Sequence, residues 1–146
     1  MSKNASNYIE PARVIASKGA NLLFIPTNNC LKSHNADPAL VTIARNKHIA
    51  KAIENGMAVV SADVAGRCGN YISYGCTNII DSDGQVIASS KLLSEDLLIA
   101  DIEPKPPSRF TKWDAAKNPA IVQAYRESCY TDVEPYAPTH LQKHSS

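Results

Sequence analysis

The chain has 146 residues, 44% of them hydrophobic and 20% charged, which fits one globular domain with a real core and excludes a disordered chain. Its net charge of +1 gives no field that would draw nucleic acid or an acidic membrane, so neither is expected as a partner. No apolar run is long enough to span a bilayer, and the first ten residues hold no apolar signal core, so a cytoplasmic protein is expected and the Asn4-Ala5-Ser6 sequon is read as chance.

In chain order, Glu10 to Lys18 reads as a short helix. Pro11 suits its first turn, Val14 and Ile15 give it an apolar side, and Gly19 stops it. Residues 21–26, Asn-Leu-Leu-Phe-Ile-Pro, form an apolar run closed by proline, the pattern of a strand buried on both faces. Thr27 to Asp37 reads as a polar loop. Asp37 followed by Pro38 is a helix start, because the carboxylate caps the free N–H groups and proline needs no donor in the first turn. That helix runs to about Asn55, and Gly56 ends it. Ala39, Leu40, Ile43, Ala44, Ala50 and Ile53 share one broad face at helical spacing.

Met57 to Ala62 is the next buried strand, followed by a loop. Tyr71 to Asp81 and Gln85 to Ser89 flank Ser82-Asp83-Gly84, and Asp-Gly between two strand-like runs predicts a hairpin. Leu97 to Ile102 reads as one more strand. After Glu103 the character changes, and six of the nine prolines lie in this tail. The expected domain division is therefore 1–103 and a tail extension over 104–146, which wraps the surface and carries one short helix near Pro119 to Glu127. Trp113, Tyr125, Tyr130 and Tyr136 read as packing anchors of the tail, and Leu141 to Ser146 as a frayed end.

Cys30, Cys68, Cys76 and Cys129 make no C-x-x-C pair and read as free thiols. His34, His48, His140 and His144 show no metal-ligand spacing with them, so neither metal nor cofactor is expected. Gly66-x-x-Gly69 is too short for a phosphate loop.

Several segments together resemble the carbon–nitrogen hydrolases of the nitrilase superfamily, in the second half of their domain. Glu10-Pro11-Ala12-Arg13, then Gly19-Ala20 and an apolar strand ending in Pro26, is similar to the segment just after that family's nucleophile. Lys51-Ala52-Ile53-Glu54-Asn55 is similar to its "R-A-x-E-N" helix end. Val59-Val60-Ser61-Ala62-Asp63 with Gly66 is similar to "V-V-x-A-N-x-x-G". Gly75-Cys76-Thr77-Asn78-Ile79-Ile80-Asp81 with Gly84 is similar to the "G-x-S-x-I-x-D-P-x-G" hairpin, and Leu97 to Ile102 to the closing strand. The match covers roughly Tyr8 to Glu103. It implies an α/β fold, half of an αββα four-layer sandwich, and hydrolysis of an amide or nitrile.

The family's chemistry uses a cysteine nucleophile, a glutamate base to take its proton and a lysine beside the oxyanion. Aligning Tyr8-Ile9-Glu10 on the family's "F-P-E" puts Lys3 at the cysteine position and Ala5 at the accompanying Asp. The base and the lysine belong to still earlier sequence. The resemblance therefore carries over no catalytic residue, and the chain is expected to be inactive alone. Half a sandwich also leaves apolar sheet in water. At about 25 cal/mol per Å², a few hundred Å² costs several kcal/mol, comparable with a domain's stability. A chain supplying the missing N-terminal half, or a homo-oligomer, is expected to cover it. A small amide or nitrile would be the substrate only of the completed domain; the alternative is a non-catalytic homo-oligomeric interaction module.

Three positions are candidates for lining or supporting the family's pocket: Glu54, Asn28 and Asp63, with Asn29 beside them. Glu54 falls within the apolar arc of Leu40, Ile43 and Ala50, where a carboxylate needs a partner; a surface ion pair with Lys51 is the plainer reading. Asn28, Asn29 and Asp63 follow strand ends, where such residues commonly bond their own backbone. A site rebuilt around Cys30 or Cys68 is the weakest alternative, since neither has a base nearby in sequence.

Overall fold

A computed structural model describes residues 7–103 and 118–128. Helix α1 spans Glu10–Ser17 with Pro11 in its first turn. Strand β1, Leu22–Thr27, is followed by a short strand β2, Cys30–Lys32, and a 3₁₀ turn. Helix α2, Ala39–Asn55, starts where Asp37 predicts it: the Asp37 carboxylate accepts the Ala39 N–H at 2.8 Å. It ends on Gly56, whose φ of 59° is the left-handed cap that a side chain would disfavour. Strands β3 (Ala58–Asp63), β4 (Ala65–Cys68), β5 (Tyr71–Tyr74), β6 (Asn78–Ile80) and β7 (Val86–Ser89) follow, and helix α3 covers Pro119–Ser128.

The strands form two sheets, a four-stranded one in the order β1-β3-β6-β7 and a three-stranded one in the order β2-β5-β4. β1 and β3 run parallel through the α2 crossover, with Leu23 beside Val59 and Thr27 beside Asp63. All other pairings are antiparallel. The β6–β7 hairpin turns on Asp81, whose carboxylate accepts the N–H groups of Asp83 and Gln85. The core lies between one face of the large sheet and the helices. Ala12 and Ala16 of α1 and Ala52 of α2 meet Leu23, Ile25, Met57, Val59 and Ile80 there.

Five sequence expectations are corrected. β1 is buried on one face only: Leu23 and Ile25 are covered, whereas Phe24 is 64% exposed and Pro26 is also exposed. The helices cover a single face, and β1 is an edge strand. Second, the Thr27–Asp37 loop contains β2, and the loop after β3 contains β4; both exist because they pair with β5. Third, the expected run from Tyr71 to Asp81 is two strands in different sheets, joined at Gly75. Gly75 has φ 74°, and a Cβ there would lie 2.7 Å from the Ala65 Cβ. Gly75→Ala is expected to cost about 2 kcal/mol from backbone strain and this clash, read as a lowered denaturation midpoint.

Fourth, the buried stripe of α2 is Val41, His48, Lys51, Ala52 and Asn55, not the Leu40–Ile43–Ile53 face, whose three large residues are 38–49% exposed. Polar residues on the buried stripe hide it from a hydrophobic reading. Lys51 is only 1% exposed, its Nζ reaches the Lys47 carbonyl at 3.5 Å, and burial pushes its pKa below the ordinary lysine value, aided by Lys47 and opposed by Glu10. Asn55 donates to the Lys51 carbonyl at 2.8 Å. Fifth, Leu97 to Ile102 is not a strand. Leu97 and Ile99 are largely exposed while Leu98, Ala100 and Ile102 are half-buried, so the alternation is there without a ladder partner among the described residues. The expected tail wrapping, its aromatic anchors, Cys129 and the frayed end lie outside what is described.

Candidate functional site

A cleft of about 210 Å³ opens beside the first half of α2 and the carboxyl ends of β1 and β3. Its walls are apolar: Leu31 from β2, Leu40, Val41, Ile43 and Ala44 from α2, and Tyr74 from β5. Leu40, Ile43 and Ala44 of the exposed apolar face of α2 thus serve as a cleft wall, whereas Ile53 does not line it. Asn29, Lys47, His48, Asp63 and Cys76 add polar groups.

Asp63, at the end of β3, is held by four donors. The Asn29 N–H reaches Oδ1 at 3.0 Å and the Asn29 amide reaches Oδ2 at 3.2 Å. The Val64 and Cys76 N–H groups complete the set at 3.0 and 3.2 Å. The Asp63 N–H in turn donates to Thr77 Oγ1 at 3.0 Å. This carboxylate ties three segments together: the β1–β2 loop, the end of β3, and the β5–β6 turn. With its acceptor positions occupied by donors, it is a clasp rather than a base looking for a proton.

His48 is 4% exposed, and its Nδ1 is buried without a hydrogen-bond partner. Burial brings its pKa down to about 4; Lys51 and Lys47 push the same way and Asp63 opposes them. The ring facing this cleft is therefore neutral near pH 7. Cys76 is also buried. Its Sγ lies 3.6 Å from the Val41 carbonyl and accepts from the Asn78 amide at 3.3 Å. Burial raises its thiol pKa and Asp63 adds to this, while Asn78 and Arg45 work against it. That is a packed thiol, not an activated nucleophile. Asn78 also accepts from Arg45 Nε at 3.1 Å, which fastens α2 to the sheet.

Of the sequence-derived candidates, Asp63 and Asn29 line the cleft. Asn28 is exposed and is not among its lining residues. Glu54 also lies outside it; its carboxylate pairs with Arg13 of α1 at 2.5 Å, a helix-to-helix tie, with Arg13 and not Lys51 as the partner. Cys30 and Cys68 are not among its lining residues either. Sequence reasoning does not single out Lys47 or Tyr74, reads Cys76 as an idle thiol and weighs His48 only as a metal ligand. The signal for His48 was available: it stands seven residues after Val41 and seven before Asn55, on the stripe that turns inward. Among the described residues no group of three or more His, Cys, Asp or Glu side chains is placed to hold a metal ion, and no helix is long and apolar enough to cross a membrane.

A partly parallel sheet with helices on one face and a cleft at its strand ends defines one half of a layered α/β sandwich. The chain belongs to the carbon–nitrogen hydrolase family, whose model matches residues 3–106. Solved structures share the fold. A carbon–nitrogen hydrolase from Helicobacter pylori G27 superposes with a TM-score of 0.66 at 19% identity, over 90% of this chain and 47% of that one. An amidase mutant from Nesterenkonia sp. AN1, carrying the acetamide moiety of fluoroacetamide on its active site cysteine, gives 0.60 at 21% identity, over 82% and 40%. This chain therefore spans less than half the length of these neighbours. No curated protein matches it in sequence.

Proposed function

We propose that this chain forms one half of a carbon–nitrogen hydrolase domain, and that the completed domain hydrolyses non-peptide C–N bonds of amides or nitriles. The observation that carries the reading is the open outer face of the large sheet. Phe24 at 64% exposure stands there with Pro26 and, in register with Pro26 on β3, exposed Ala62. Leu97 and Ile99, at 80% and 84%, are also exposed apolar residues. A second sheet laid on this face would complete the four-layer architecture and bring the Glu-Lys-Cys chemistry to the cleft. Asp63 would act in that domain by fixing the cleft wall, with Asn28 and Glu54 supporting it from outside.

Among the described residues no thiol is set up to attack. Cys76 is held protonated by burial, and Cys30 and Cys68 do not line the cleft. The purified chain is therefore expected to turn over neither small amides nor nitriles. Co-expression with the amino-terminal half of a carbon–nitrogen hydrolase, carrying its glutamate, lysine and cysteine, is expected to give a soluble complex with amidase or nitrilase turnover. Turnover by the chain alone that iodoacetamide abolishes would refute this reading. A discrete homodimer by light scattering that takes up no added half and turns over nothing would favour the non-catalytic module instead.

A further inference from the structure

We propose that the segment from Leu97 to Ile102 is a docking site for a partner's β-strand, and that the strand it takes is an extended peptide with alternating apolar residues and basic flanks. The backbone carries the first part. Leu97, Ile99 and Asp101 are exposed, whereas Leu98, Ala100 and Ile102 are half-buried. A period of two is that of extended chain lying with one side on the protein. The Leu97 N–H donates to the Asp96 carboxylate at 2.9 Å, but the peptide groups of Leu98 to Ile102 form no ladder and no turn hydrogen bond among the described residues. A run of unpaired peptide groups beside exposed Leu97 and Ile99 is what strand addition uses: the ladder gives affinity and the alternate side chains give contact. The start of the segment is fixed. Asp96 also accepts the Lys91 N–H at 3.0 Å, and the Leu93 N–H donates to the Tyr74 carbonyl at 2.9 Å, which ties the preceding loop to β5. A segment held at one end loses less freedom when it pairs.

Charge decides the partner. Residues 92–103 hold Glu95, Asp96, Asp101 and Glu103 and no lysine or arginine. Glu95 and Asp101 are exposed and form no ion pair among the described residues. Carboxylates at both ends of an apolar stretch favour a strand with lysine or arginine at its own ends and oppose an acidic one. A second copy of this chain is opposed for that reason. Paired antiparallel about Ile99, it would set Glu95 opposite Glu103 and Leu97 opposite Asp101; paired in parallel, each carboxylate would meet its own copy.

The test adds three synthetic peptides to the full chain and follows amide hydrogen exchange of Leu98 to Ile102 by NMR. One peptide alternates valine and threonine between pairs of lysines. The second has pairs of glutamates instead, and the third is the lysine peptide N-methylated at alternate residues. In the chain alone these amides are expected to exchange near the rate of unstructured chain. The lysine peptide is expected to bind saturably and to slow them about 10-fold or more at saturation. The glutamate peptide is expected to bind about 10-fold more weakly, the size of effect that a few exposed ion pairs give, and the N-methylated one to give no protection. Glu95→Lys combined with Asp101→Lys, both at exposed positions, is expected to reverse the preference between the lysine and glutamate peptides. Amides already protected in the chain alone, no saturable protection by the lysine peptide, or equal affinity for the lysine and glutamate peptides would overturn the proposal. Because the readout is binding and not turnover, each result stands apart from the fate of the hydrolase reading.

Discussion

Asp63→Ala is expected to lower the unfolding free energy by about 4 kcal/mol, a large part of the stability of a domain this size. The reasoning starts from the donors. Three backbone N–H groups, of Asn29, Val64 and Cys76, and the Asn29 side chain converge on one carboxylate that is itself half-buried. Each charge-assisted bond is worth about 1.5–3 kcal/mol net, and those left at the surface recover part of this from water. Alanine removes all four acceptor contacts and leaves the β1–β2 loop and the β5–β6 turn without their common anchor. Asp63→Asn is the discriminating partner. Its amide oxygen keeps two of the acceptor contacts, and its NH₂ faces the Cys76 N–H, so an intermediate loss is expected. Urea denaturation of the three proteins measures this. A midpoint for Asp63→Ala within 1 kcal/mol of the parent by linear extrapolation would show that the clasp contributes little.

The same residue shows how far the sequence could be read. Local punctuation was legible. Asp37-Pro38 opens α2, Gly56 closes it, Pro26 lies near the end of β1 and Asp83-Gly84 turns the last hairpin, because each acts through its own backbone. What the sequence hid is non-local. Cys30–Lys32 and Ala65–Cys68 have no alternation or propensity of their own; they are strands because Tyr71–Tyr74 lies between them. Asp63 read as a turn residue or a pocket group, and its clasp exists only because parallel pairing sets Thr27 beside it and brings Asn29 within reach. Likewise Glu54 reads in sequence either as a group supporting the pocket or as an ion-pair partner of Lys51 on its own helix, but α1 places Arg13 across from it. The inward stripe of α2 was missed because three of its five members, His48, Lys51 and Asn55, are polar. Hydrophobic periodicity finds the apolar face of a helix, and here the first part of that face, Leu40, Ile43 and Ala44, lines a cleft.

His48 supplies the second large effect, a loss of about 3 kcal/mol between pH 6.5 and pH 4. Its folded pKa is depressed to about 4 from an ordinary 6.5, chiefly because burial disfavours the imidazolium. Above pH 6.5 the ring is neutral folded or unfolded, and the group contributes no slope. Between 6.5 and 4 the unfolded chain binds the proton and the folded chain does not, so stability falls as pH falls. Near pH 4 the loss levels off, at about 1.4 kcal/mol for each unit of depression. Burial sets the sign; of the neighbouring charges, Lys51 and Lys47 on its own helix also oppose protonation, and Asp63 on β3 favours it without outweighing burial. Carboxylates elsewhere also take up protons in this range, so the comparison is with His48→Gln, which cannot titrate. The gap between the two proteins' denaturation free energies is expected to change by about 3 kcal/mol across the window, with the parent losing more. An NMR titration of the His48 ring is expected to show a midpoint near 4. A midpoint at the ordinary value, or parallel acid limbs for the parent and His48→Gln, would mean that water reaches this imidazole and that the wall of the cleft is looser than its packing against α2 and β3 requires.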